Sequence, residues 1–140
     1  MVFKKIFLSV LFSVFLLNNI HSQTRNFDGE TQTEMNLNAG NVYSEWNKKM
    51  QKTLLAAINQ NKEDKLFVAN LNKSQKIWEA WRDAEIETFY PIYEDKSFYG
   101  TIQPLCYFSK LIDWTEQRIQ QLEIYSKGVE EDDACSPGKM

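Results

Sequence analysis

Histidine is almost missing from this chain: His21 is the single one in 140 residues. It sits in an N-terminal segment with the features of a removable leader, so the remaining chain has none. That excludes Ser-His-Asp and Cys-His nucleophilic sites and any zinc site that uses histidine. Cysteine is nearly as scarce, and Cys106 and Cys135 alone cannot complete a structural zinc site. The five glycines form no phosphate-cradling loop. No stretch sustains period-two alternation and no internal repeat is present, so no sheet is expected.

What is present begins with a short apolar run. Lys4 and Lys5 precede residues 6–17, which are broken only by Ser9 and Ser13 and end at Asn18 and Asn19. This is the length of a secretory h-region, well short of the roughly 20 residues of a membrane span. We place cleavage between Ser22 and Gln23, giving an exported protein, periplasmic or secreted, with no membrane span in the mature chain. No cysteine lies near the cut, so a lipid anchor is not supported. Removal of residues 1–22 takes away two lysines and no acid, moving the formal charge from −3 to −5. Acidity argues against nucleic acid and favours basic partners through long-range steering.

The remainder reads as one domain: a loose leader at 23–30, a helical domain at 31–126 and an acidic tail at 127–140. Thr31-Gln32-Thr33-Glu34 is a capping box. Met35, Ala39, Val42, Trp46, Met50, Leu54 and Ala57/Ile58 then recur in steps of three and four, one stripe of a helix ending at Asn59-Gln60-Asn61. A second helix opens at Lys62-Glu63-Asp64 and carries Phe67, Leu71, Ser74, Trp78 and Trp81, widened by Asn70, Ile77 and Ala84. Pro91 disfavours helix at Tyr90. An aromatic connector follows, and Pro104 opens a third helix with Phe108, Leu111/Ile112, Thr115, Ile119, Leu122 and Tyr125 at helical spacing. The fold expectation is an all-α antiparallel bundle of three main helices, at about 31–59, 63–89 and 104–126.

Export invites a disulfide between Cys106 and Cys135. Helix three separates its ends by about 30 Å, and the nine residues after Ser126 span that distance only when nearly extended. A bond therefore requires the tail to fold back along the helix or the helix to fray early; two free thiols and an intermolecular bridge stay open.

The densest stretch is residues 75–85, with two tryptophans and an Arg-Asp pair. Trp78 and Trp81 read as core of a central helix that touches both neighbours, with an exposed anchor for a partner as the rival reading. Arg82 reads as a clasp onto a carboxylate of another helix, with Glu34, Glu45, Asp113 and Glu116 as candidates and direct contact with a partner as the rival reading. Asp83 points away from Arg82 and is expected beside Lys73 or Lys76, or free. Thr115 and Arg118, about one turn apart, read as a second polar contact between helices. Paired carboxylates able to cleave a glycoside carry almost no signal here, since nineteen acids guarantee some suitable pair. The run at 130–133 reads as a solvated tail.

Four blocks of residues resemble the LprI-like lysozyme-inhibitor domain family of small exported helical domains. They are Thr31-Gln32-Thr33-Glu34-Met35-Asn36 leading to Ala39 and Tyr43; Leu71 with Gln75, Trp78, Arg82, Asp83 and Ala84; Gly100-Thr101-Ile102 with Pro104; and Thr115 with Arg118 and Leu122. Family members commonly carry cysteines where this chain has Asn38, Ile86 and Lys110, so those cross-links are missing. An Asp usual in helix one is Asn47, and a Leu-Asn pair is Met50-Gln51. The resemblance implies a helical, non-enzymatic binding protein without a cofactor, occluding a glycan-cleaving enzyme such as a basic lysozyme. The alternative is an envelope-associated helical interaction module that shares only the scaffold; a small hydrolase is a third and weaker reading.

Overall fold

The computed structural model describes residues 27–91 and 100–127; the expected signal peptide, the acidic run and Cys135 lie outside them. The described residues are all-helical, in three elements: α1 (Gln32–Gln60), α2 (Lys65–Phe89) and α3 (Gln103–Lys127).

Four of the helix ends have a local cause. At α1 the Glu34 amide donates to Thr31 Oγ1 (3.2 Å), and Glu34 Oε2 accepts from the amides of Thr31 (3.1 Å) and Glu30 (2.8 Å). A cap of this kind stabilises a helix by about 1 kcal/mol. At α2 the Phe67 amide donates to Asp64 Oδ1 (2.8 Å), which makes Asp64 the cap rather than part of the helix. Its last turn closes with Tyr90 N–H donating to the Ile86 carbonyl, and Pro91 follows. Gly100 takes a positive φ of 75°, a turn conformation open to glycine, just before Pro104 enters the first turn of α3.

Hydrogen bonds and ring contacts give the order of packing. Asn36 Nδ2 donates to the Thr101 carbonyl (2.8 Å), joining the start of α1 to the start of α3. Asn61 Nδ2 donates to the Tyr125 carbonyl (3.0 Å), joining their ends. α1 and α3 therefore run alongside in one direction. α2 runs against them: its beginning meets the end of α3 through Phe67 and Tyr125, and its end meets the start of α3 through Tyr90 and Tyr107.

The helix at the centre is α3, not α2. Eight of its residues are buried, including Trp114 and Arg118 as well as Leu111, Ile112, Thr115, Ile119 and Leu122 of the expected stripe, against three in α2; Phe108 and Tyr125 of that stripe are half-buried. The α1 stripe is as expected, with Ala39, Met50, Leu54 and Ala57 buried. In α2 the inward row is Leu71, Gln75, Trp78, Arg82 and Ile86, while Asn70, Ser74, Ile77, Trp81 and Ala84 are exposed. The expected α2 stripe was therefore rotated by about one residue. Choosing apolar side chains pulled it onto Ile77, Trp81 and Ala84, whereas the fold turns two polar long-chain residues inward.

The stretch before α1 is not loose over its described part. Phe27 is only 4% exposed and packs in a cluster with Ala39 and Ile112. Asn38 Nδ2 donates to the Asp28 carbonyl, tying the segment to α1. An aromatic ring beside the small Ala39 finds a pocket that a polar leader would leave open.

Candidate functional site

Gln75 and Arg118 form the polar centre of the α2–α3 seam. Arg118 is 6% exposed, and among the described residues its guanidinium donates to neutral oxygens: Nε to Gln75 Oε1 (3.0 Å), Nη1 to Gln121 Oε1 (3.1 Å) and Nη2 to Ser74 Oγ (3.2 Å). Gln75 uses its other end as well, with Nε2 donating to Glu79 Oε1 (3.0 Å) and to Met50 Sδ (3.6 Å). One amide thus sits between a carboxylate and a guanidinium and reaches all three helices. Burial pushes the Arg118 pKa down, and Tyr125 and Glu79 partly oppose it. A buried cation without its acceptors is costly, so this arrangement fixes the register of α2 on α3.

The expected inter-helix contact of Thr115 is instead local: its Oγ1 donates to the Leu111 carbonyl of its own helix (2.7 Å). Thr115 is fully buried, and that backbone acceptor is the nearest way to satisfy its hydroxyl. Arg118 alone of that pair crosses to α2.

Arg82 is likewise corrected. Its Nε and Nη2 donate to Asp83 Oδ1 (2.8 and 2.7 Å), so its carboxylate partner is the adjacent residue and not one of Glu34, Glu45, Asp113 or Glu116. Asp83 consequently pairs with Arg82 rather than with Lys73 or Lys76. The guanidinium reaches sideways because it lies over the Trp78 ring, 5.2 Å from its centroid. Arg118 lies 5.9 Å from the same centroid, so half-buried Trp78 is held by two cations. On the α1 side, Tyr43 has its pKa raised by burial, with Arg82 opposing and Asp83 and Glu79 adding to the rise. Its phenol stays neutral beside this charged row.

Trp81 is not core. It is 45% exposed, with its ring 5.3 Å from that of Trp114 on α3. Phe89, 50% exposed, meets the other side of the cluster, edge to face with Trp114 at 5.8 Å. Lys110 Nζ lies 4.8 Å from the Phe89 centroid and 5.4 Å from that of Trp114. Trp114 and Phe89 were not singled out in the sequence, and Lys110 only as a place where family members carry a cysteine. The available signal was that Trp114 lies four residues before Arg118 and so shares its face of α3.

Cys106 lies half-buried in the first turn of α3. Among the described residues no group of three His, Cys, Asp or Glu side chains could hold a metal, and no helix is long and apolar enough to cross a membrane. The site therefore offers a clasp, a stacked indole and an aromatic face.

A family model described as lysozyme inhibitor LprI matches residues 23–122. The chain belongs to the LprI family. No curated protein and no solved structure matches it. The residues that carry the LprI likeness meet one another in space. Asn36 of the first block binds Thr101 of the third, and Gln75 of the second binds Arg118 of the fourth. Arg82 stacks on Trp78 within the second. In this LprI domain the motif residues hold the helices together, and the aromatic face lies at their edge.

Proposed function

We propose that this LprI protein is an exported, non-enzymatic binding protein that inhibits a lysozyme by covering its glycan-binding region. The observation that carries this reading is the family match, which runs from Gln23 through Leu122 and so takes in nearly all of the three-helix unit. Its first residue is also the one expected to follow signal cleavage, which supports export. The excess of acid over base suits a basic enzyme. In this reading Gln75, Arg118, Thr115 and Trp78 build the scaffold, Arg82 and Asp83 lock against Trp78, and Trp81 belongs to the contact surface.

Lysis of a bacterial suspension, followed by turbidity with several lysozyme types, tests the proposal. Slowed lysis at micromolar excess of the purified protein is the expected result. Unslowed lysis with every type would leave the alternative, a helical interaction module of the envelope, whose partner would co-purify from envelope extracts.

A further inference from the structure

Among the described residues, charge is sorted along the bundle. The contact order places the start of α1, the end of α2 and the start of α3 at one end. Residues 27–46, 79–91 and 100–114, which form that half, hold nine carboxylates against two cations, Arg82 and Lys110, a formal −7. Arg82 is engaged by Asp83, and Lys110 lies over two rings. The other half, residues 47–78 and 115–127, holds four carboxylates against nine cations, a formal +5. The net charge of the whole chain conceals this polarity.

Distance makes the two ends separate surfaces. A helix of 25 residues is about 37 Å long, so the centres of the halves lie roughly 19 Å apart. That exceeds the Debye length of about 8 Å at physiological ionic strength. An approaching protein therefore meets the field of one end at a time. The exposed apolar side chains differ in the same sense. The acidic half shows Trp81 and Phe89 beside Trp114, together with the aliphatic Leu37 and Ile102, whereas the lysine-rich half shows only aliphatic ones, Leu55, Leu66, Ile77 and Ile124. Binding energy concentrates on aromatic anchors far more than on isolated aliphatic ones.

We infer that the acidic end, over the Trp81–Trp114–Phe89 cluster, is the surface on which a basic glycan-cleaving enzyme docks, with the lysine-rich end turned away. This rests on the inhibitor reading above and adds an orientation to it. A basic partner is drawn to the carboxylates of one end and repelled by the lysines of the other, so a single field selects both face and direction.

Three variants of the purified protein test this against a basic lysozyme, with thermal melts showing that each is folded. Glu30→Lys with Glu87→Lys, both exposed, is expected to weaken binding at least about tenfold at low salt, mainly in the association rate, with the difference shrinking at high salt. Lys73→Glu with Lys76→Glu is expected to bind at least as tightly as wild type. Trp81→Ala is expected to weaken binding about 30-fold, mainly in the dissociation rate. If wild type inhibits but the two glutamate substitutions change affinity less than twofold, or the lysine substitutions weaken it, the orientation is wrong and the inhibitor reading stands. If wild type binds no lysozyme, both fall.

Discussion

The two seams of α3 are built on different principles. Toward α1 the backbones come close, because the facing residues are small: Ala39 and Ala57 are fully buried, and a Cβ on Gly40 would stand 3.3 Å from the Phe108 ring. Asn36 and Asn61 pin the two ends of that seam to backbone carbonyls. Toward α2 the helices stand farther apart and the space is filled by long side chains, namely paired rings and the Gln75–Arg118 bridge. Small residues at Ala39, Gly40 and Ala57 let the two backbones approach and specify one packing there. A wide seam must be filled by large amphipathic groups, and some of them, such as Trp81, remain exposed for other uses.

Breaking the close seam should cost most. Ile112 is fully buried between Phe27 and Ala39, and Ile112→Ala is expected to destabilise the protein by about 2–5 kcal/mol in urea unfolding. The wide seam should respond through its polar bridge. Gln75→Leu removes one acceptor of a buried guanidinium and is expected to cost about 1–3 kcal/mol. Combining it with Arg118→Met should recover much of that loss, because the cation then no longer needs the acceptor. A double mutant as unstable as the two losses added together would show that the two residues act independently.

The two seams also differed in how far the sequence disclosed them. The α1 stripe was legible because apolar residues repeat without interruption from Met35 to Ala57, and helix ends were legible from Thr31-Gln32-Thr33-Glu34, Pro91 and Pro104. The inward row of α2 was not, because Gln75 and Arg82 face inward and Trp81 outward, the reverse of what hydrophobicity ranks first. Arg82 had a carboxylate beside it in sequence, yet a helix sets neighbours apart. Only the bend of its guanidinium over Trp78 brings Asp83 within reach. The charge polarity was within reach of the antiparallel expectation, which brings residues 79–91 back toward the start of α1, but the net charge of the whole chain hides it.

Arg82 tests the margin of the wide seam. Its side chain is 12% exposed while that of Asp83 is 63% exposed, so the ion pair itself contributes little and the stack on Trp78 contributes more. Arg82→Ala is expected to cost about 1 kcal/mol. Asp83→Asn should stay within about 0.5 kcal/mol of wild type. Equal losses in thermal melts would show that the pair matters more than the stack.

The smallest expected effect lies where α1 faces that charged row. Tyr43 titrates above its ordinary value in the folded protein, first because it is buried and then because Asp83 and Glu79 lie near. In the unfolded chain the phenol ionises near pH 10. A raised folded value means that the folded state holds its proton after the unfolded state has lost it. The contribution is therefore fully present below about pH 10 and is lost as pH rises through the folded value. Tyr43→Phe removes that titration. Urea unfolding from pH 8 to 11 should show wild type losing stability more steeply than the variant above pH 10, with parallel behaviour below it. Parallel curves across the whole range would mean that the phenol is as well solvated folded as unfolded, and that the α1 side of the row is open to water.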